Sequence, residues 1–111
     1  MLTLHTTGQF RKDEKLARKR GLDISLLKSV IQTLLEEKPL DPKHRDHPLA
    51  GNYIGFRECH ILPDWLLIYI VDKGQLILTA SRTGTHSELF DKRQKIRITK
   101  KTGGNKKTDP D

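Results

Sequence analysis

The run WLLIYIV at positions 65–71 is unbroken in its apolar character. It lies between two turn signals, Pro63-Asp64 and Asp72-Lys73-Gly74. A short apolar run bounded by turn formers reads as a buried strand, whereas a helix crossing a bilayer needs roughly 20 apolar residues. The flanking segments 52–62 and 75–81 read as strands as well. Connections this short join antiparallel neighbours, because parallel pairing needs a long crossover. The chain is therefore expected to be built on an antiparallel meander.

Two helical patterns precede the meander. Thr6 or Thr7 caps a helix over 9–20 that stops at Gly21, with a thin apolar side of Phe10, Leu16 and Ala17. Asp23 caps a second, in which Leu27, Val30, Ile31, Leu34 and Leu35 recur at three- and four-residue spacing until Pro39. Leu2 and Leu4 alternate with polar neighbours in a weak strand signal over 1–5, and LDPKHRDHPLA at 40–50 reads as a loop. The expected fold class is α+β, a short N-terminal strand and a two-helix hairpin packed on one face of an antiparallel β-sheet.

Strand alternation then sorts the side chains. Cys59 and Ile61 share one side of the first strand, opposite Phe56, Glu58 and His60; in the second, Leu66, Ile68 and Ile70 oppose Trp65, Leu67 and Tyr69. With the aliphatic set turned to the helices, Trp65 and Tyr69 are expected on the open face, joined by His60. Arg82 shares parity with Leu76, Leu78 and Ala80, and reaches that face only if the chain twists near Gly84.

At 111 residues one domain is expected. The lone Cys59 excludes an intramolecular disulfide and a multi-cysteine zinc site, and the opening MLTLHTTG lacks a secretory pattern. A soluble, cytoplasmic protein with no membrane partner is the expectation. The net charge of +7 is unevenly spread. Residues 91–111 hold eight Lys or Arg against three Asp, a net of +5, which leaves +2 for residues 1–90. A folded body over 1–90 and a basic extension over 91–111, flexible at its end, follow from that distribution. The extension is either a solvated end or a holder of RNA phosphates.

The polar residues that a plain sheet does not need are His47, His60, Asp64, Arg82 and His86. No HExxH or CxxC spacing is present, and the adjacent Cys59 and His60 point to opposite faces, so no metal or cofactor is expected. Acid–base chemistry suits the set better. RNA cleavage by its own 2′-hydroxyl needs a base, an acid and positive charge beside the phosphorane, which histidines near neutrality and an arginine supply. Trp65 or Phe90 could stack on an unpaired base. Each residue also has an ordinary reading: His47 as a loop residue, His60 as a sheet histidine, Asp64 as a turn former, Trp65 and Phe90 as core, Arg82 as an ion-pair partner. A DNA-binding module is disfavoured, because no helix joins a clear basic recognition face to a preceding turn.

The segments HPLAG at 47–51, GFRECH at 55–60, PDWLLIY at 63–69 and RTGTHSELF at 82–90 resemble the YafQ branch of the RelE-like toxins. The resemblance covers residues 1–90 and departs from the family pattern in the tail after Phe90. It implies a bacterial type II toxin-antitoxin mRNA interferase, an endoribonuclease that enters the ribosomal A site, cuts bound mRNA and arrests translation. The implied partners are a cognate antitoxin, the 70S ribosome with its mRNA, and operator DNA only through the antitoxin complex. Carried over by motif, the family's active-site positions fall on His47, His60, Asp64, Trp65, His86 and Phe90. His86 and His60 are then the leading acid–base pair, His47 and Asp64 orient or share protons, Arg82 contacts phosphate, and Trp65 and Phe90 position bases. The alternative is an inactive module of the same fold that binds antitoxin or RNA without cutting.

Overall fold

The computed structural model describes residues 1–90, so the basic extension expected over 91–111 lies outside the described residues. The elements are β1 (Thr3–Thr6), α1 (Gly8–Lys19), α2 (Ile24–Leu35), β2 (His47–Pro48), β3 (Arg57–Leu62), β4 (Trp65–Asp72), β5 (Ile77–Gly84) and α3 (His86–Phe90). Among the described residues no helix is long and apolar enough to cross a membrane.

Both expected caps form. Thr7 Oγ1 accepts from the Phe10 backbone N–H at 2.9 Å and donates to the Ser81 carbonyl at 2.8 Å, which ties the start of α1 to β5. Asp23 accepts from Ser25 N–H at 3.0 Å. Ile24, Leu27, Val30, Ile31 and Leu34 form the buried face of α2. Each such side chain contributes about 1.5–3 kcal/mol of apolar burial, enough to dock a helix too short to persist alone in water.

The strand order is β1-β5-β4-β3-β2. The antiparallel meander β3-β4-β5 matches expectation, but the sheet is mixed. β1 pairs parallel with β5, Thr3 opposite Ile77 and Thr6 opposite Ala80. The α1–α2 hairpin provides the long crossover that parallel pairing requires. The segment 40–50 contains β2 and a single 3-10 turn at Pro42–His44, while a second such turn at Gly51–Tyr53 takes the place of the expected start of the first strand. The last strand starts two residues later than expected and runs on through Gly84.

Both helices pack on one face of the sheet as expected, but on the opposite set of side chains. Phe10, Ala17, Leu27, Val30 and Ile31 form one core with Cys59, Ile61, Trp65, Leu67, Tyr69, Leu78 and Ala80. The aliphatic Leu66 and Ile68 face the other way, into a smaller core with Leu89, Leu49, Tyr53, Phe56 and Phe90. Trp65 and Tyr69, each 2% exposed, therefore do not look onto an open face. Their polar atoms explain why the rings can be buried. Trp65 Nε1–H donates to Thr83 Oγ1 at 2.9 Å and the Tyr69 hydroxyl donates to Asp46 at 2.7 Å.

Arg82 is moved by a bulge. Tyr69 pairs with Ala80 but Ile68 with Arg82, so Ser81 is the extra residue and Arg82 leaves the register of Leu78 and Ala80. The change of parity arises at Ser81, three residues before Gly84.

Candidate active site

β2 delivers His47. Its pairing with β3 sets His47 opposite Glu58, and His47 Nε2 lies 3.2 Å from Glu58 Oε1. The other ring nitrogen, Nδ1, is 3.1 Å from the Pro48 carbonyl, so both nitrogens of His47 face acceptors. Glu58 is only 4% exposed, a rare place for a carboxylate without a partner. Two residues on, His60 stands on the same side of β3. One ligand atom from each of His47, Glu58 and His60 lies within 4.8 Å of the others.

The loop carrying His47 is tethered behind the site. Asp46 accepts from the Tyr69 hydroxyl and from Arg57 Nε at 3.3 Å. Burial first, then the bond to Asp46, pushes the Tyr69 hydroxyl well above its ordinary pKa. His44 Nδ1 donates to the His60 carbonyl at 2.6 Å, which clamps the 3-10 turn to β3.

The turn between β3 and β4 supplies Asp64, and the turn after β5 supplies His86. His60 Nδ1 sits 3.1 Å from the Pro63 carbonyl. A carbonyl only accepts, so Nδ1 carries a proton and the neutral ring keeps its lone pair on Nε2. His86 repeats the arrangement: Asp64 Oδ1 accepts from its backbone N–H at 3.2 Å and lies 3.4 Å from its Nδ1. Among the described residues the second nitrogen of His86 has no hydrogen-bond partner. The rings of His60 and His86 are 5.7 Å apart, and Phe90 lies 6.3 Å beyond His86, braced edge-to-face by Tyr53.

The structure thus gathers His47, His60, Asp64, His86 and Phe90 into one cluster. It does not bring Trp65 there. A ring 2% exposed beneath the helices presents no face to a nucleobase, so the expected stacking role of Trp65 is corrected to a core role. Arg82 is engaged elsewhere too, with Nε 2.8 Å and Nη2 3.2 Å from the carboxylate of Asp13 on α1. That carboxylate also accepts from the Thr83 backbone N–H at 3.1 Å. Three of the five guanidinium donors are left for other partners.

Glu58 is the residue the sequence reading passed over. The signal was a carboxylate inside a strand, two places before a histidine. Two imidazoles and a carboxylate also make a donor set suited to zinc or copper, with metal–ligand distances of about 2.0–2.2 Å. Cys59 points to the opposite face of β3 and takes no part in this set, which His47, Glu58 and His60 form alone.

An imidazole pair beside a half-exposed aromatic ring, on a two-helix hairpin packed on a mixed sheet, defines a small α+β protein equipped for proton transfer. Residues 2–91 match the family described as bacterial toxin of type II toxin-antitoxin system, YafQ. The mRNA interferase toxin YafQ of Escherichia coli K12 is 45% identical over 86 residues, 76% of this chain and 90% of its own length. A metal-bound toxin from Helicobacter pylori superposes with a TM-score of 0.78 at 49% identity, over 81% of this chain and 100% of that one. YafQ in the E. coli DinJ-YafQ complex superposes with a TM-score of 0.75 at 41% identity, over 81% of this chain and 99% of the other. The chain belongs to the YafQ family of bacterial type II toxin-antitoxin toxins.

Proposed function

We propose that the protein is a ribosome-dependent endoribonuclease that cuts mRNA in the A site by metal-independent acid–base catalysis and so arrests translation. The observation that carries this reading is the His60–His86 pair, two rings 5.7 Å apart, each with Nδ1 anchored to an acceptor and the other nitrogen free. One ring removes the 2′-hydroxyl proton as that oxygen attacks the adjacent phosphorus. The other protonates the departing 5′ oxygen, leaving a 2′,3′-cyclic phosphate and a 5′-hydroxyl. Asp64 orients His86. His47, with an acceptor near each ring nitrogen, helps to position the substrate. Phe90 offers a face to a base. The E. coli relative's crystallisation with DinJ supports a cognate antitoxin as partner, with operator DNA reached through that complex.

The test is cleavage of a defined mRNA on purified programmed ribosomes, wild type beside His86→Ala, with a ribosome-free control. A-site cuts that need the ribosome and fall at least about a hundredfold in the variant are expected. Absence of cuts by folded wild type over a broad set of A-site codons would overturn the reading and leave an inactive binding module of the same fold.

The donor set of His47, Glu58 and His60 favours a second use of the same residues, capture of a transition metal. A bound ion would occupy lone pairs on both imidazoles. Occupancy would then oppose the acid–base reaction.

A further inference from the structure

We propose that Glu88 is a positioning residue that aims His86, acting through a reciprocal hydrogen-bonded ring with Thr85 that Arg20 fastens to the helix layer. This rests on the nuclease reading above for its catalytic consequence. Its geometry rests on the turn alone.

His86 stands at the first position of α3, a helix of five residues that is too short to hold its own shape. What fixes the turn is local. Thr85 Oγ1 accepts from the Glu88 backbone N–H at 3.2 Å, and the Thr85 backbone N–H donates to Glu88 Oε1 at 2.9 Å. This capping box closes around His86 and sets the backbone from which its side chain departs. The preceding residue leaves room for it, since a Cβ at Gly84 would lie 2.8 Å from Glu88 Oε1. On its far side Leu89, 2% exposed, plugs into the smaller core against Leu66 and Ile68.

The second carboxylate oxygen of Glu88 pairs with Arg20, the C-cap residue of α1. The side chain of Glu88 therefore spans from the His86 turn to the helix layer. Asp64, 70% exposed on its side chain, is the other restraint on His86 and is held far less firmly by its surroundings. A misplacement of about 1 Å can cost roughly a hundredfold in rate. The two restraints act from different sides: Glu88 fixes the turn from within α3, and Asp64 reaches both the backbone N–H and the ring of His86 from the β3–β4 turn.

The test compares Glu88→Ala and Glu88→Gln with wild type, reading single-turnover cleavage on programmed ribosomes, ribosome affinity and the His86 ring resonances of the free protein. Gln closes the same ring but gives up the oxygen that pairs with Arg20, so its recovery is partial. The expected result is a cleavage rate lower by about ten- to a hundredfold in Glu88→Ala, with ribosome affinity unchanged, shifted His86 resonances and partial recovery in Glu88→Gln. His86 resonances identical to wild type in a folded Glu88→Ala protein would overturn the proposal. So would a Glu88→Gln protein as impaired as Glu88→Ala, because the charge and not the ring would then matter. Urea midpoints of both variants show that the comparison is made on folded protein. If wild type itself does not cut, the nuclease reading fails and the resonances alone decide the positioning.

Discussion

Replacing Thr83 by Val tests whether Trp65 belongs to the core. Thr83 is 2% exposed, and its hydroxyl accepts from Trp65 Nε1–H at 2.9 Å while donating to the Leu66 carbonyl at 2.6 Å. Valine fills nearly the same volume, so no cavity opens and the loss is polar. The buried indole N–H is left without an acceptor, at a cost of about 1–3 kcal/mol, and the bond to the carbonyl adds about 1 kcal/mol. A total of about 2–4 kcal/mol is expected, which in a domain of this size lowers the melting temperature by roughly 10–30 °C. Circular dichroism melts and urea titrations of both proteins measure it. The pair Trp65→Phe and Thr83→Val should be strongly non-additive, since removing the donor relieves the orphan. At a temperature where both proteins are folded, cleavage by Thr83→Val should equal wild type. A stability unchanged to within about 0.5 kcal/mol, the scatter of neutral substitutions, would refute the buried hydrogen bond. Loss of cleavage from fully folded Thr83→Val would refute the separation of Trp65 from the substrate.

Two further outcomes follow from the same geometry. Burial, with Asp46 and Glu58 adding to it, pushes the Cys59 thiol up to about 12, and burial likewise raises Tyr69. Both groups hold their protons more tightly folded than unfolded. Their contribution is therefore complete below the unfolded thiol value of about 8.5 and drains away as pH climbs toward 12, by up to ~1.4 kcal/mol per pH unit for each group in its titrating range. Urea midpoints should fall from pH 8.5 to 11, with Cys59→Ala flattening the first part of that decline; a level profile in wild type would contradict the burial. For the metal, micromolar zinc or copper should slow cleavage, a stoichiometric chelator should restore it, and Glu58→Gln should be less sensitive to the ion. Cleavage by chelator-treated toxin on magnesium-supplied ribosomes should be undiminished, and its abolition would sink the metal-independent mechanism.

What could be read from the chain alone divides along physical lines. Local signals carried well: Thr7 and Asp23 cap the helices they precede, and the spacing of Leu27, Val30, Ile31 and Leu34 gives the buried face of α2. Alternation also paired Glu58 with His60 and separated Trp65 from Leu66. It could not say which of two apolar sets meets the helices, because both are apolar enough. The decision is made by long-range polar partners, Thr83 for the indole and Asp46 for the phenol, that no local pattern displays. The parallel pairing of β1 with β5 and the bulge at Ser81 are likewise products of tertiary contact. Motif order singled out His47, His60, Asp64, His86 and Phe90, which the fold brings near one another, while Arg82 pairs with a buried carboxylate 69 residues distant in sequence.

The two unequal cores on either side of β4 imply a hierarchy of opening. Trp65, Leu66, Leu67, Ile68 and Tyr69 are all buried, so β4 is shielded from both directions and its amides exchange only when the whole fold is lost. The layer bearing Phe90 and His86 rests on the smaller cluster of Leu66, Ile68 and Leu89, and needs far less free energy to lift away. The face bearing His86 and Phe90 can therefore be remodelled while the helix-backed half stays folded. The two faces of one sheet thus act as a permanent half and an adjustable half.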